Sequence, residues 1–328
     1  MDYVRIGNSD VRISTIVLGG HEYLPDGRSR GFNEDMSKAI TKGYLFPDFG
    51  GEQRRDVLRT AFDLGINMFD VTLDSEKEAL GRNFAELPPP YEVYVQTRPE
   101  GMVYGYDPGN RKMADGDLLR AEVQRILRLL RRERIDFLNL GILADAIARD
   151  PDFLAKLVHN IETLRNDGLI RFACADTFSG EGTYLAQIDS AAFAAVNVNF
   201  NMADDGALRA VLPAAKQAGM TVIVREAFVK GALFRLGSEA GITEPRLLAR
   251  AALKWVLTQA CVDAVIVGAG TAEQLQANAS VMDDATLTDR ERSALERLAA
   301  SEAFNTMRTT KRADFLGKVG PVVITHDR

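Results

Sequence analysis

Residues 135–174 read IDFLNLGILADAIARDPDFLAKLVHNIETLRNDGLIRFAC, and this stretch decides the fold. It opens with a run from Ile135 to Leu140 and closes with another from Ile170 to Cys174. Between them an amphipathic segment predicts a helix over about 153–167. The runs are nearly all apolar and do not alternate, as expected of parallel strands covered on both faces.

The same unit repeats in both directions along the chain. Runs at Ile16–Leu18, Ile66–Phe69, Glu92–Gln96, Phe193–Val198, Met220–Val224 and Ala264–Val267 bring the strands to eight. Further helices are expected near 52–64, 116–132, 206–218 and 245–258. Eight strands alternating with helices predict the α/β class and a closed (β/α)8 TIM barrel. A doubly wound sheet would want a glycine-rich phosphate turn, and no GxGxxG or GxxxxGK[ST] occurs. Ahead of the barrel, Tyr3–Ile6 and Val11–Ile13 flank the turn cluster Gly7–Asp10 and predict a β-hairpin. Thr243-Glu244-Pro245 and Thr271–Gln274 read as helix starts, and the charge run Arg131–Arg134 reads as a solvated helix end.

The whole chain, 1–328, is expected to form one domain. It is 46% hydrophobic and 26% charged with a net charge of -6, so no positive field favours nucleic acid or an anionic membrane. Cys174 and Cys261 sit in apolar surroundings, form no CxxC pair, and read as core thiols. With neither a signal-peptide pattern nor an apolar run of roughly 18 residues, a cytoplasmic location is expected.

Two connections are unusually long. Residues 21–51 follow the first barrel strand and carry Tyr23, Phe32, Tyr44, Phe46 and Phe49, enough aromatic surface to pack as a lid-like insertion. Residues 98–115 follow the third strand and carry Tyr104 and Tyr106. Residues 301–328 are expected as a C-terminal tail whose segment Phe304–Val323 offers an apolar patch to a second subunit, which leaves a homo-oligomer open.

The blocks Val11-Arg12-Ile13-Ser14, Gly65–Asp70, Ile135–Leu138, Gly168–Arg171, Asn199–Met202, Val224–Phe228, Ala252–Leu257 and Val265–Gly270, in this order, resemble the aldo-keto reductases. The resemblance implies a barrel with an N-terminal hairpin plug, binding NAD(P)H in extended form and reducing a carbonyl of a small molecule. The family uses a tyrosine as general acid, tuned by a lysine, an aspartate and a histidine. Asp70 matches the aspartate. Val71–Glu76 holds no tyrosine, Arg98 stands for the lysine, and the fourth strand runs into Gly141 in place of the histidine.

The candidate catalytic residues are therefore Asp70, Arg98, His21, Glu22 and Tyr44, with Tyr23 a further donor candidate. An Asp70–Arg98 ion pair is expected at the mouth. His21 could lean into the space that Gly141 leaves, with Glu22 beside it to fix its tautomer. A metal reading through His21, Glu22, Asp70 and Asp176 has no ligand spacing to sharpen it.

For the cofactor, the resemblance places Asp176, Thr177 and Asn197 at the nicotinamide and Arg225 and Glu226 on the pyrophosphate side. Gly268, Gly270, Gln274 and Asn278 fall at the adenine end. NAD or NADP is implied, and Gly270, standing where a basic residue would meet the 2′-phosphate, argues against strong NADP preference. Three functions stay open at this point: a carbonyl or alcohol oxidoreductase with a non-standard active site, a non-redox lyase, isomerase or dehydratase on a sugar-like substrate, and a silent barrel that senses a nucleotide or binds a partner.

Overall fold

The computed structural model describes residues 1–99, 107 and 110–317. Eight parallel strands close into a barrel in the order β10-β3-β4-β5-β6-β7-β8-β9. They are β3 (Ile16–Gly19), β4 (Met68–Val71), β5 (Tyr94–Thr97), β6 (Ile135–Ile142), β7 (Ile170–Thr177), β8 (Ala195–Asn199), β9 (Thr221–Arg225) and β10 (Ala264–Val267). An antiparallel hairpin of β1 (Tyr3–Arg5) and β2 (Arg12–Ser14) precedes them.

Every second residue of a strand points into the barrel, and the sequence uses that period to build a layered interior. At the N-terminal end Val17, Met68, Tyr94, Phe137, Cys174, Ala195 and Ile223 pack into one cluster with Ile6, Val11 and Ile13 of the hairpin. The hairpin thus closes the bottom of the barrel with apolar side chains. The Asn67 amide tacks it down, accepting from the Ser14 N–H at 2.7 Å and donating to the Arg12 carbonyl at 2.9 Å. Two residues further along the same faces stand Asp70, Gln96, Asn139, Asp176, Asn197 and Arg225, all buried. The interior therefore turns from apolar to polar toward the C-terminal mouth. The intervening residues, among them Phe69, Val95, Leu138, Val196 and Val224, pack outward against the helices.

The expected helices appear at Glu52–Asp63, Gly116–Leu130, Phe153–Asn166 and Pro245–Leu257. The one expected at 206–218 is divided into a 3-10 turn, Gly206–Leu208, and a helix, Val211–Gln217. Pro245 opens its helix as expected, but Glu244 and not Thr243 is the cap. Arg131 ends its helix in the left-handed region, while Arg132 is not simply solvated and pairs with the buried Asp136 at 2.7 Å.

The 21–51 insertion folds onto the barrel. Its residues 22–30 form a small self-bonded hairpin, with Arg30 N–H to Glu22 O and Leu24 N–H to Arg28 O both at 2.8 Å. Farther along, the Gly43 and Phe46 N–H groups donate to Asp74 and Ser75 at the start of the helix Asp74–Glu86. Phe49 is buried beneath the Arg30 guanidinium, 4.4 Å from its ring centroid.

The C-terminal segment is helical over Glu302–Gly317. Phe304, expected in an exposed apolar patch, is buried in the core formed with Leu233, Leu248 and Leu298, so that residue is not offered to a second subunit. Phe315 stacks on Tyr184 and Arg308 pairs with Asp205. Tyr104, Tyr106 and the end of the apolar segment at Val323 lie outside the described residues. Among the described residues no helix is long and apolar enough to cross a membrane.

Candidate active site

The mouth is built around two groups of buried polar side chains. The first joins β3, β4 and the helix Asp74–Glu86. His21 Nδ1 lies 2.7 Å from Glu76 Oε1. Glu76 is held in turn by the N–H groups of Thr72 and Leu73, which donate to Oε2 at 2.7 and 3.2 Å. The Glu76 side chain is buried, whereas the imidazole is 38% exposed.

Desolvation pulls the His21 pKa down, but the adjacent Glu76 carboxylate, its hydrogen bond and the more distant Asp70 outweigh it, so the net shift is upward. Arg98 opposes that rise, which places it in electrostatic range of the imidazole. For Glu76, burial raises the pKa, and His21 with the two backbone donors more than reverses it. The pair is thus biased toward imidazolium and carboxylate.

The second group spans β7, β8 and β9. Arg225 grips Asp176 through both carboxylate oxygens, at 2.9 and 2.7 Å, and also donates to Asn197 Oδ1 at 3.1 Å and Asn199 Oδ1 at 2.6 Å. Tyr184 adds its hydroxyl to the same carboxylate at 3.3 Å, and Arg98 approaches it at 3.8 Å. Bidentate binding of a buried carboxylate fixes both partners in one plane.

Two expected pairings are corrected. Arg98 faces Asp176 and not Asp70, whose Oδ1 accepts instead from Gln96 Nε2 at 2.8 Å. The cause is the register: Asp70 lies directly opposite Gln96 on the neighbouring strand. Glu22 does not orient His21, whose Nδ1 is engaged by Glu76. The Glu22 carboxylate accepts from Gly50 N–H at 2.6 Å and faces Arg30 at 3.7 Å. Nor do His21, Glu22, Asp70 and Asp176 converge as a metal site, since no cluster of three His, Cys, Asp or Glu side chains suited to a metal occurs among the described residues.

Tyr44 rests on Phe46, with ring centroids 5.0 Å apart, and under Lys38. The Thr177 hydroxyl is engaged with the Ile142 carbonyl and the Ser179 N–H. Glu226 faces Lys230 at 3.5 Å.

At the adenine end of the implied cofactor site, the Gly268–Gly270 turn is tied to its own helix: Gly270 N–H donates to Gln274 Oε1 at 2.8 Å, and Asn278 Nδ2 donates to Gly268 O at 3.4 Å. Gln53 donates to Gly270 O at 2.7 Å. A Cβ on Gly268 would collide with the Tyr23 hydroxyl, whereas one on Gly270 would meet the Tyr23 ring at 3.4 Å, an ordinary contact. Burial pushes the Tyr23 hydroxyl up to about 12, so it stays neutral near pH 7.

Sequence reasoning missed Glu76, Gln96, Asn199 and Tyr184. A usable signal existed for Glu76: Asp74 and Glu76 head an amphipathic stretch, which marks a helix start just past a strand and so at the mouth. Tyr184 carried no such mark.

The aldo/keto reductase family model matches residues 48–246, more than half of the chain. In solved structures the chain resembles the aldo-keto reductase AKR11C1 from Bacillus halodurans in its holo form, with a TM-score of 0.65 at 19% identity over 91% of this chain and 96% of that one. It also resembles the glycerol dehydrogenase AKR11B4 from Gluconobacter oxydans, with a TM-score of 0.64 at 22% identity over 91% and 95%. At such identities the likeness to these structures is one of fold. Among curated proteins no match is found. The chain belongs to the aldo/keto reductase family, whose fold and membership imply an oxidoreductase acting on a small molecule.

Proposed function

We propose that this protein is a nicotinamide-dependent oxidoreductase of small polar carbonyls and alcohols in which the His21–Glu76 pair replaces the family's tyrosine as proton donor. The observation that carries the reading is the 2.7 Å contact between these side chains at the mouth of the barrel. Reduction of a carbonyl leaves negative charge on its oxygen, which needs a positioned proton or cation at the same moment. His21 Nδ1 is committed to Glu76, which leaves Nε2–H to deliver that proton. The Glu76 carboxylate steadies the imidazolium before transfer, and its own backbone donors keep it from moving. Arg98, buried nearby, adds positive charge without taking part in proton exchange.

The residues present fit a dinucleotide. Gly268 and Gly270 leave a bare backbone against which a ring already lies, that of Tyr23. Asn197 Nδ2 is buried without a hydrogen-bond partner and can donate to an amide oxygen. Arg225 neutralises Asp176, so the nicotinamide end does not present an unpaired charge. Asp176, Thr177 and Asn197 would hold that end, Arg225 and Glu226 would stand beside the diphosphate, and Gly268, Gly270, Gln274 and Asn278 would line the adenine end. When bound, the nicotinamide supplies or accepts the hydride. The 21–51 insertion, carrying both His21 and Tyr23, serves as the lid.

The test follows oxidation of NADH and of NADPH with glyceraldehyde and glycolaldehyde. Turnover with comparable use of both nucleotides, reduced at least ~100-fold in His21→Asn, is expected. Full turnover in that variant would reject the assignment.

A further inference from the structure

The glycine turn at the end of β10 is only partly exposed, and a side chain from the insertion lies against it. Tyr23, from the hairpin of residues 22–30, lies over both Gly268 and Gly270. The turn beneath it is fixed by Gln53, Gln274 and Asn278, so the turn itself has little freedom to retreat. The hairpin is bonded to itself and, through Glu22 and Arg30, to Gly50, Asp48 and Pro47 of the same insertion.

We propose that Tyr23 is a cofactor-affinity residue: its ring occupies the Gly268–Gly270 cradle in place of the dinucleotide and must leave before the dinucleotide binds. The inference rests on the cofactor reading above. Its physical content is a competition within one chain. The cradle is available only for the fraction of time in which Tyr23 is out, and the apparent affinity falls by that fraction. Removing the ring removes the competitor.

Calorimetric titration of the nucleotide-stripped protein with NADH and NADPH measures this without reference to turnover. Tyr23→Ala is expected to bind about tenfold more tightly than the wild type, and Tyr23→Phe, which keeps the ring, about as the wild type does. In protein labelled with fluorotyrosine, the Tyr23 resonance, identified by its loss in Tyr23→Phe, is expected to shift to a solvent-exposed position as NADH is added. Equal or weaker binding by a folded Tyr23→Ala would overturn the displacement while leaving the cofactor reading in place. Absence of binding by the wild type and both variants would overturn the cofactor reading, and the displacement with it.

Discussion

Nδ1 of His21 and Oε1 of Glu76 meet at 2.7 Å although 55 residues separate them in the chain. One stands just beyond β3 and the other in the first turn of the helix after β4, two neighbouring strands of the barrel. In the proposed reaction this pair stands in for the family's tyrosine as the proton donor. Glu76→Gln keeps the shape and removes the charge. The His21 pKa should then fall, because desolvation would no longer be outweighed. Titration of the His21 ring protons by NMR in wild type and variant checks this, and an unchanged pKa would show that Glu76 does not govern the imidazole.

The pH dependence of turnover follows from the same pair. In the proposed reaction His21 must be protonated, so kcat/KM should be flat below its raised pKa and fall as pH rises through it. In Glu76→Gln that descending limb should move to lower pH. The pair also contributes to stability. The raised His21 pKa makes its share complete below the ordinary histidine pKa and lost above the folded one, while the lowered Glu76 pKa makes its share complete above the ordinary carboxylate value and lost as pH falls through the folded one. Urea unfolding across pH should show the stability difference from Glu76→Gln greatest between those limits.

The Asp176–Arg225 pair should behave as a buried unit. Arg225→Met leaves the Asp176 carboxylate without its main partner inside the barrel, and Asp176→Asn leaves the guanidinium without its counter-charge. Each single change is expected to cost about 3–5 kcal/mol. The double variant should cost less than the sum of the two, as read by denaturant unfolding. Additive losses would mean that the two side chains are energetically independent.

The hairpin at the bottom is structural. Ile13→Ala empties a fully buried site against Val17, Met68 and Phe137 and should cost about 2–5 kcal/mol. Lying at the opposite end of the barrel from His21, it should leave nucleotide affinity unchanged at temperatures where the variant stays folded. A selective loss of affinity in a fully folded variant would show that the plug is coupled to the mouth.

The barrel was legible because each strand writes its own signal locally, as the runs ending at Cys174 and Val267 show. The site was legible in part. His21, Asp70, Arg98, Asp176 and Asn197 stand at the mouth as expected, since strand ends fix their height. Their pairing was not legible, because it depends on register and on shear between strands. Arg98 therefore turns to Asp176, and the partner of His21 comes from a helix start and not from the adjacent Glu22. The contact of Tyr23 with the Gly268–Gly270 turn was hidden for a similar reason, since the two are more than two hundred residues apart.

The central claim is hydride transfer at this mouth, and the most direct measurement is the fate of deuterium. NADH deuterated at the transferred position is incubated with glyceraldehyde in ordinary water, and the product is analysed by mass spectrometry and NMR. The account predicts glycerol with deuterium on the former carbonyl carbon, formed at least ~100-fold more slowly by His21→Asn. Formation of dihydroxyacetone with the nucleotide unconsumed would contradict it and make the His21–Glu76 pair the acid and base of a proton-transfer enzyme.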